Sequence, residues 1–462
     1  MCATHLGIHH ETHRSPTQVK QSFQEPPIQK THWGYGIAIQ FVRSAVPRFH
    51  RMEETSGSHS IPNRDVPMII VSNHQNGLMD PLINTTITAN HQIHWLTRAD
   101  IFKKPLIRKL LFGFNQMPIF RLRDRLSGAK ERNQRIFEIC VERLGIGATI
   151  GLFPEGNHRT MKTLRPLKRG VADMVALSIR QNSKMKGLTV LPVGVDYEQY
   201  DAFQRRLSYR VGTAVPFEDL YDAQRDQFDY VAFLKRIEVA LKNLVVDVQP
   251  EERYNLLIPF VRALRTTELP LDAFHEAQSR IQQFSDIPTE AWKTIEKAFE
   301  DLNQTKILES ARPEDLSLDQ ASRRKSSWHT WLLAPLALLG GIPSLPLAWF
   351  IQKECEKRIK DPAFMSTFKM TSGMFLFPLF WWLQSVVAAV IAGAANDGWS
   401  WTAFFGWYAF NLAGSRIAGY WYGLFLDWKG MRQAQKVWSN PEARTVWTHY
   451  VQAIRHAASI QS

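Results

Sequence analysis

His74 and Asp80 stand six positions apart in the segment Ser72-Asn73-His74-Gln75-Asn76-Gly77-Leu78-Met79-Asp80-Pro81. A neutral imidazole is a suitable general base near neutral pH. A carboxylate on its other ring nitrogen would fix the tautomer and stabilise the imidazolium. On a continuous helix six residues turn through about 600°, so the two side chains would not share a face. They meet only if the backbone bends between them, and Gly77 permits such a bend. Asp80-Pro81 reads as an N-cap followed by a proline at the first helical position. Alone, the pair also fits a loop histidine beside a helix cap.

Three further segments accompany it: Met117-Pro118-Ile119-Phe120-Arg121, Phe153-Pro154-Glu155-Gly156-Asn157-His158-Arg159, and Val190-Leu191-Pro192-Val193-Gly194. The second of these could be an ordinary turn. In context it places Glu155 and the amide of Gly156 beside His74. Basic residues cluster nearby. Residues 159–169 hold Arg159, Lys162, Arg165, Lys168 and Arg169 without an acid. Residues 98–125 carry eight Lys and Arg against Asp100 and Asp124. The arginine fork suits phosphate oxygens. For most of these residues a solvated or membrane-facing basic surface is the simpler reading, whereas Arg121 sits where a phosphate contact is expected.

Elements must position these groups. Short Ile/Val-rich runs at 67–72, 148–153 and 189–195 read as buried parallel strands. Helical stretches such as 128–144 and 167–182 lie between them. The expected fold is therefore α/β, a mostly parallel sheet flanked by helices. Its strand ends form the rim where ligands bind in open sheets of this kind.

Outside this unit the chain divides by composition. Residues 1–31 are polar and read as disordered. The cluster His9, His10, Glu11 and His13 lacks His-Glu-x-x-His spacing, so no metal site is expected. Residues 32–65 read as an amphipathic, interfacial helix and linker carrying Arg43, Arg48 and Arg51. The α/β unit runs from 66 to 224. Residues 225–325 read as a helical connector, with amphipathic segments at 228–247 and 288–303. Residues 326–430 form a C-terminal α-helical membrane region, and 431–462 a cytoplasmic tail.

In the membrane region, 331–351, 374–395 and 399–426 approach the roughly 20 apolar residues that span a bilayer. The first is interrupted by Pro335, Gly340, Gly341, Pro343 and Pro346, and is followed by Lys353, Lys357, Arg358, Lys360 and Lys369. A re-entrant hairpin bent at 340–343 keeps those charges on the cytoplasmic side, as the positive-inside tendency prefers. Then 374–395 and 399–426 cross. Arg416 lies inside an apolar run, where a charge is costly. Pairing with Asp397 or Asp427, or a helix break, would account for it.

The net charge of +13 suits a polyanionic partner. Bilayer-length apolar runs turn that away from nucleic acid and toward anionic lipid or a phosphorylated substrate. Cys2, Cys140 and Cys355 are widely spaced, which fits a reducing compartment. The first thirty residues contain no secretory signal.

Together the four segments resemble the four blocks of the glycerolipid acyltransferase family that includes bacterial 1-acylglycerol-3-phosphate acyltransferases. The family usually has four residues between its histidine and aspartate; this chain has five. That spacing resembles a subgroup with Asn-His-Gln-Asn and some glycerol-3-phosphate acyltransferases. Asn157-His158 stands where the family more often has Thr-Arg.

The resemblance implies that His74 is the base and Asp80 orients it. It implies that Arg121 binds the acceptor phosphate and that Glu155 and Gly156 position the acceptor. Arg159 or Lys168 would assist with phosphate or coenzyme A. It implies no metal and no other cofactor, with acyl-CoA or acyl carrier protein as co-substrate. The acceptor would be a lysophospholipid or glycerol phosphate, and the setting a cell inner membrane with the catalytic domain on the cytoplasmic side. The rival class is a non-catalytic protein that binds anionic lipid.

Overall fold

The computed structural model describes residues 24–88, 91–121, 128–181, 187–264, 284, 287–318, 328–394 and 398–459. The metal reading at 9–13 lies outside them. Residues 24–31, expected to be disordered, instead run extended over the surface. Glu25 pairs with Arg135, Pro27 O accepts from Arg143, and Lys30 pairs with Asp65. These partners are remote in sequence, so composition alone could not reveal them.

The central sheet has seven strands: β1 (Arg51–Ser56), β2 (Met68–Ser72), β3 (Ile93–Arg98), β4 (Met117–Ile119), β5 (Thr149–Leu152), β6 (Thr189–Tyr197) and β7 (Arg206–Val211). Their order is β1-β7-β6-β2-β5-β3-β4. All neighbours are parallel except β6 and β7. The middle of the sheet is β2, whose side chains are buried on both faces, as a continuous Met-Ile-Ile-Val run requires. Crossover helices α2 (Met79–Ile87), α3 (Pro105–Gly113), α4 (Ala129–Gly145) and α5 (Gly170–Arg180) connect the parallel strands. The C-terminal ends of β2 to β6 therefore emerge on one edge. Because β7 and β1 run the other way, their starts lie on that edge too.

Two boundaries move. The stretch 32–65 is more than a helix and linker, because after α1 (Trp33–Phe49) it supplies β1 to the sheet. Helix α6 (Tyr230–Lys242), assigned to the connector, buries Phe233, Ile237 and Leu241 in the same core as Ile69, Val71 and Ile150. The rest of the connector has its own core. Helices α7 (Tyr254–Leu264) and α8 (Thr289–Gln304) pack with Trp447, Tyr450, Val451 and Ile454. The tail beyond 431 is thus folded onto the connector. This long-range pairing joins segments almost 200 residues apart, which helical periodicity cannot match up.

Between them lie α9 (His329–Gly341), α10 (Leu345–Arg358), α11 (Pro362–Ala394) and α12 (Trp401–Ser439), followed by α13 (Pro441–Ser459). The 329–358 and 362–394 helical segments are long and apolar enough to cross a membrane. The 399–426 run lies in α12, which is interrupted by Arg416 and falls outside that pair.

The contacts fix the directions of these helices. Trp331 meets Trp428, and a Cβ on Gly340 would fall 2.4 Å from Gly414 Cα, so α9 runs antiparallel to α12. Trp407 reaches Gln384, so α12 also runs antiparallel to α11. At its start α10 meets the middle of α11, where Trp381 donates to Ser344 and Gln384 to Pro343 O. Its end is joined by three residues to the start of α11. The chain therefore rises through α9, reverses between 341 and 345, and returns through α10. The close approach of Gly340 and Gly414 is why neither position can carry a side chain.

Candidate active site

His74 sits on a loop directly after β2. Asn73 pins this loop to β6: Nδ2 donates to Val195 O and Oδ1 accepts from Val195 N, each at 2.8 Å. The loop is also tied to the segment after β5. Glu155 Oε1 accepts the His74 N–H at 2.8 Å, and His74 O accepts the Arg159 N–H at 3.0 Å. Helix α2 then begins at Met79, two residues earlier than the sequence suggested. Asp80 lies inside its first turn rather than at the N-cap, and its Oδ2 accepts the Asn76 N–H at 2.8 Å.

The imidazole and carboxylate meet, with His74 Nδ1 2.8 Å from Asp80 Oδ2. Asp80 is fully buried, while His74 remains partly open. Its Oδ1 accepts the Tyr197 hydroxyl at 2.5 Å. Burial, and then the Asp80 charge, push the Tyr197 phenol well above its ordinary 10, so it stays a donor. An ionised carboxylate only accepts. Nδ1 of His74 must therefore carry the proton, leaving the Nε2 lone pair as the basic site. Sequence reasoning missed Tyr197, which lies two residues beyond the run 189–195 expected to form this strand, at the end of β6.

Aromatic rings enclose the imidazole. Phe153 stacks on it at 4.0 Å and 11°, and Trp95 stacks on Phe153 at 4.9 Å. His158 meets it edge-on at 5.5 Å, and Phe364 at the start of α11 meets His158 at 5.1 Å. Burial, then the proximity of His74, lower the His158 pKa below its ordinary 6.5. Asp361 lies 3.5 Å from His158 Nε2. Ser366 Oγ and Tyr200 O both accept from Asn76. The long apolar helix α11 thus forms one wall of the site.

The other sequence-selected residues fall into distinct groups. Glu155 is on the rim but is buried and internally engaged. Its second oxygen holds Arg165 Nε at 3.0 Å, and burial pushes its carboxyl above the usual range. The Gly156 amide donates to Phe153 O at 2.9 Å in a turn with φ of +73°. Neither group is therefore free to contact an acceptor directly; both shape the His74 loop. Arg159 turns outward and pairs with Glu251. Lys168 is exposed, and its stem covers Gly156. Arg121 follows β4 on the shared edge, close enough to contribute to the lowered Asp100 pKa after the dominant Arg98 hydrogen bond. The Arg416 partner suggested by the sequence is taken, since Asp427 binds Arg51 at 2.7 and 3.0 Å. Asp397 lies outside the described residues. Among the described residues, His, Cys, Asp and Glu form no metal-sized cluster.

Known proteins are similar to part of this chain. Residues 53–196 match the family model described as Acyltransferase. A chloroplastic 1-acyl-sn-glycerol-3-phosphate acyltransferase of Arabidopsis thaliana is 26% identical over 169 residues, which cover 37% of this chain and 42% of the relative. Glycerol-3-phosphate O-acyltransferase 2 of Saccharomyces cerevisiae is 27% identical over 168 residues, covering 34% and 22%. The crystal structure of a 1-acyl-sn-glycerophosphate acyltransferase from Thermotoga maritima is similar with 17% identity and a TM-score of 0.30, covering 45% of this chain and 78% of that one. The matches span 17% to 42% of the curated relatives' own lengths. The motif residues gathered on one sheet edge lie within residues 53–196, the part of the chain that matches the Acyltransferase family model and is similar to glycerolipid acyltransferases.

Proposed function

We propose that this protein transfers a fatty-acyl group from acyl-CoA or acyl carrier protein to the hydroxyl of a lysophosphatidate-type acceptor, making phosphatidate. The observation that carries the reading is His74, with Nδ1 held by a buried, triply hydrogen-bonded Asp80 and Nε2 left open. Nε2 takes the proton of the acceptor hydroxyl as its oxygen attacks the thioester carbonyl. The tetrahedral oxyanion collapses, the C–S bond breaks, and the imidazolium returns its proton to the departing thiolate. The Phe153 face stabilises the imidazolium between these steps. Alignment of the two substrates contributes on the order of 7 kcal/mol or more when it is good.

Arg121 is the proposed acceptor-phosphate ligand, supported by its place on the shared rim and by guanidinium chemistry. Lys168, exposed beside Gly156, suits the phosphates of the donor. Glycerol-3-phosphate is a second acceptor reading. It is favoured by the five residues between His74 and Asp80 and by the similarity to the yeast protein named for that activity.

The enzyme is proposed to sit in a membrane with its catalytic domain on the cytoplasmic face. The α9–α10 reversal is read as re-entrant, with α11 and α12 crossing. Both ends of the hairpin lie on the catalytic side, which keeps Lys353, Lys357, Arg358, Lys360 and Lys369 together there. Exposed Leu336, Leu339, Trp349, Phe375, Leu379 and Ile391 suit a lipid environment. The decisive test is His74→Ala, assayed with labelled acyl-CoA and a panel of acceptors. Acyl transfer is expected to vanish while the protein still reaches the membrane. Substantial residual transfer would refute the mechanism.

A further inference from the structure

Two arginines from distant parts of the chain lie where α1 meets α12. Arg48 lies in the last turn of α1. Gln204 Nε2 donates to Arg48 O at 2.5 Å, while its Oε1 lies 3.1 Å from the point where a Gly423 Cβ would stand. The neighbouring Phe203 packs between Phe49 and Tyr422, with ring centroids at 5.6 and 6.0 Å, and against Gly419. Residues 416, 419 and 423 share one helical face by their spacing. Arg416 therefore projects from the face of α12 that covers the end of α1. Burial, and then the Arg416 charge, lower the Arg48 pKa below its ordinary value.

Neither has an acidic partner among the described residues. Arg48 donates only to the carbonyl and hydroxyl of Ser44. Asp427 is held by Arg51, with Arg205 at 3.9 Å. It also lies eleven residues along α12 from Arg416, roughly 16 Å away at 1.5 Å per residue. Unpaired positive charge inside an apolar helix is costly, and a like-charged neighbour adds to the cost. An anion accepting from both forks reverses the sign of the interaction, and a phosphate group fits that geometry. The start of β1 lies on the sheet edge that faces the membrane helices, where phosphate is supplied by lipid headgroups.

We propose that Arg48 and Arg416 clamp the phosphate of an anionic membrane phospholipid, fastening α1 to α12 at the bilayer surface. The site is separate from His74 and from the rim position of Arg121. It rests on the membrane reading above.

The full chain can be reconstituted in phosphatidylcholine nanodiscs containing spin-labelled phosphatidylglycerol. Wild type is expected to hold an immobilised population of the label. Arg416→Leu and Arg48→Leu should each lower its affinity roughly tenfold, the loss of a charge-assisted contact, while Arg416→Lys retains part of it. Acceptor KM, measured in phosphatidylcholine alone, should not change. A raised acceptor KM with unchanged lipid retention would overturn the lipid clamp and assign the two arginines to the acceptor instead. If neither quantity moves in either variant, the clamp is overturned. Should Arg416→Leu misfold, Arg48→Leu carries the test from the other helix. Failure of wild type to enter nanodiscs would sink the membrane reading itself, a result distinguishable from arginine-independent lipid retention.

Discussion

The Tyr197 hydroxyl donates to Asp80 Oδ1 at 2.5 Å, and Asp80 Oδ2 is shared by His74 Nδ1 and the Asn76 amide. Each carboxylate oxygen thus has a donor, and Tyr197 fixes the plane in which Asp80 meets the imidazole. Tyr197→Phe keeps the ring and deletes that donor, leaving a buried oxygen unsatisfied at a cost of about 1–2 kcal/mol. The expected result is a fall in kcat of roughly tenfold with both KM values unchanged. Asp80→Asn should cost far more, because it disturbs the tautomer of His74. Steady-state kinetics with donor and acceptor varied in turn decide the matter; an unaltered kcat in Tyr197→Phe would remove Tyr197 from the site.

Arg121 is expected to contribute to acceptor binding and not to proton transfer. Arg121→Ala should raise the acceptor KM by roughly 10- to 100-fold, the range of one charge-assisted contact, and leave the donor KM nearly unchanged. Arg121→Lys should recover only part of the loss, since an ammonium cannot engage two phosphate oxygens in one plane. Equal increases in both KM values would point instead to a general distortion of the rim.

Much of this site was legible because β2, β5 and β6 carry apolar runs and the His74 and Glu155 segments directly follow β2 and β5. Asp80 was recognisable as a partner of His74, yet its place in the first turn of α2 was not, since Met79 and Leu78 carry no capping signal. Tyr197 stayed hidden because its partner is 117 residues away. Glu155 was located correctly on the rim, but burial and the Arg165 contact turn its carboxylate inward. The connector and tail looked independent because their shared core joins residues 246–318 to 434–458, a pairing with no local signature.

His50 is completely buried and meets Tyr197 edge-on at 5.5 Å. Burial lowers its pKa from 6.5 to about 3. The folded state therefore holds the neutral ring, while the unfolded chain takes up a proton below 6.5. A depressed folded pKa contributes stability above the unfolded value and loses it as pH falls from 6.5 toward 3. His50→Phe preserves the aromatic contact and removes the titration. Its Tm at pH 7 should stay close to wild type, and its Tm should fall less steeply between pH 7 and 5. Parallel Tm curves across that interval would show that His50 does not contribute to acid lability.

Gly77 is required for a reason the sequence did not supply. It was expected to allow a bend, yet its φ is not in the left-handed region; a Cβ there would lie 2.7 Å from Phe364 Cε1. The apolar helix α11 therefore presses directly on the loop that carries His74. Gly77→Ala must displace either the Phe364 ring or the loop, at a cost of about 1–3 kcal/mol, and kcat should fall because the imidazole moves with the loop. Phe364→Ala alone should weaken the contact to His158 with a smaller loss of kcat. Combined with Gly77→Ala it should restore activity toward the Phe364→Ala level, since the methyl then has room. A double variant as impaired as the sum of the two singles would show that the loop and α11 act independently. Recovery would show that the start of α11 sets the position of His74.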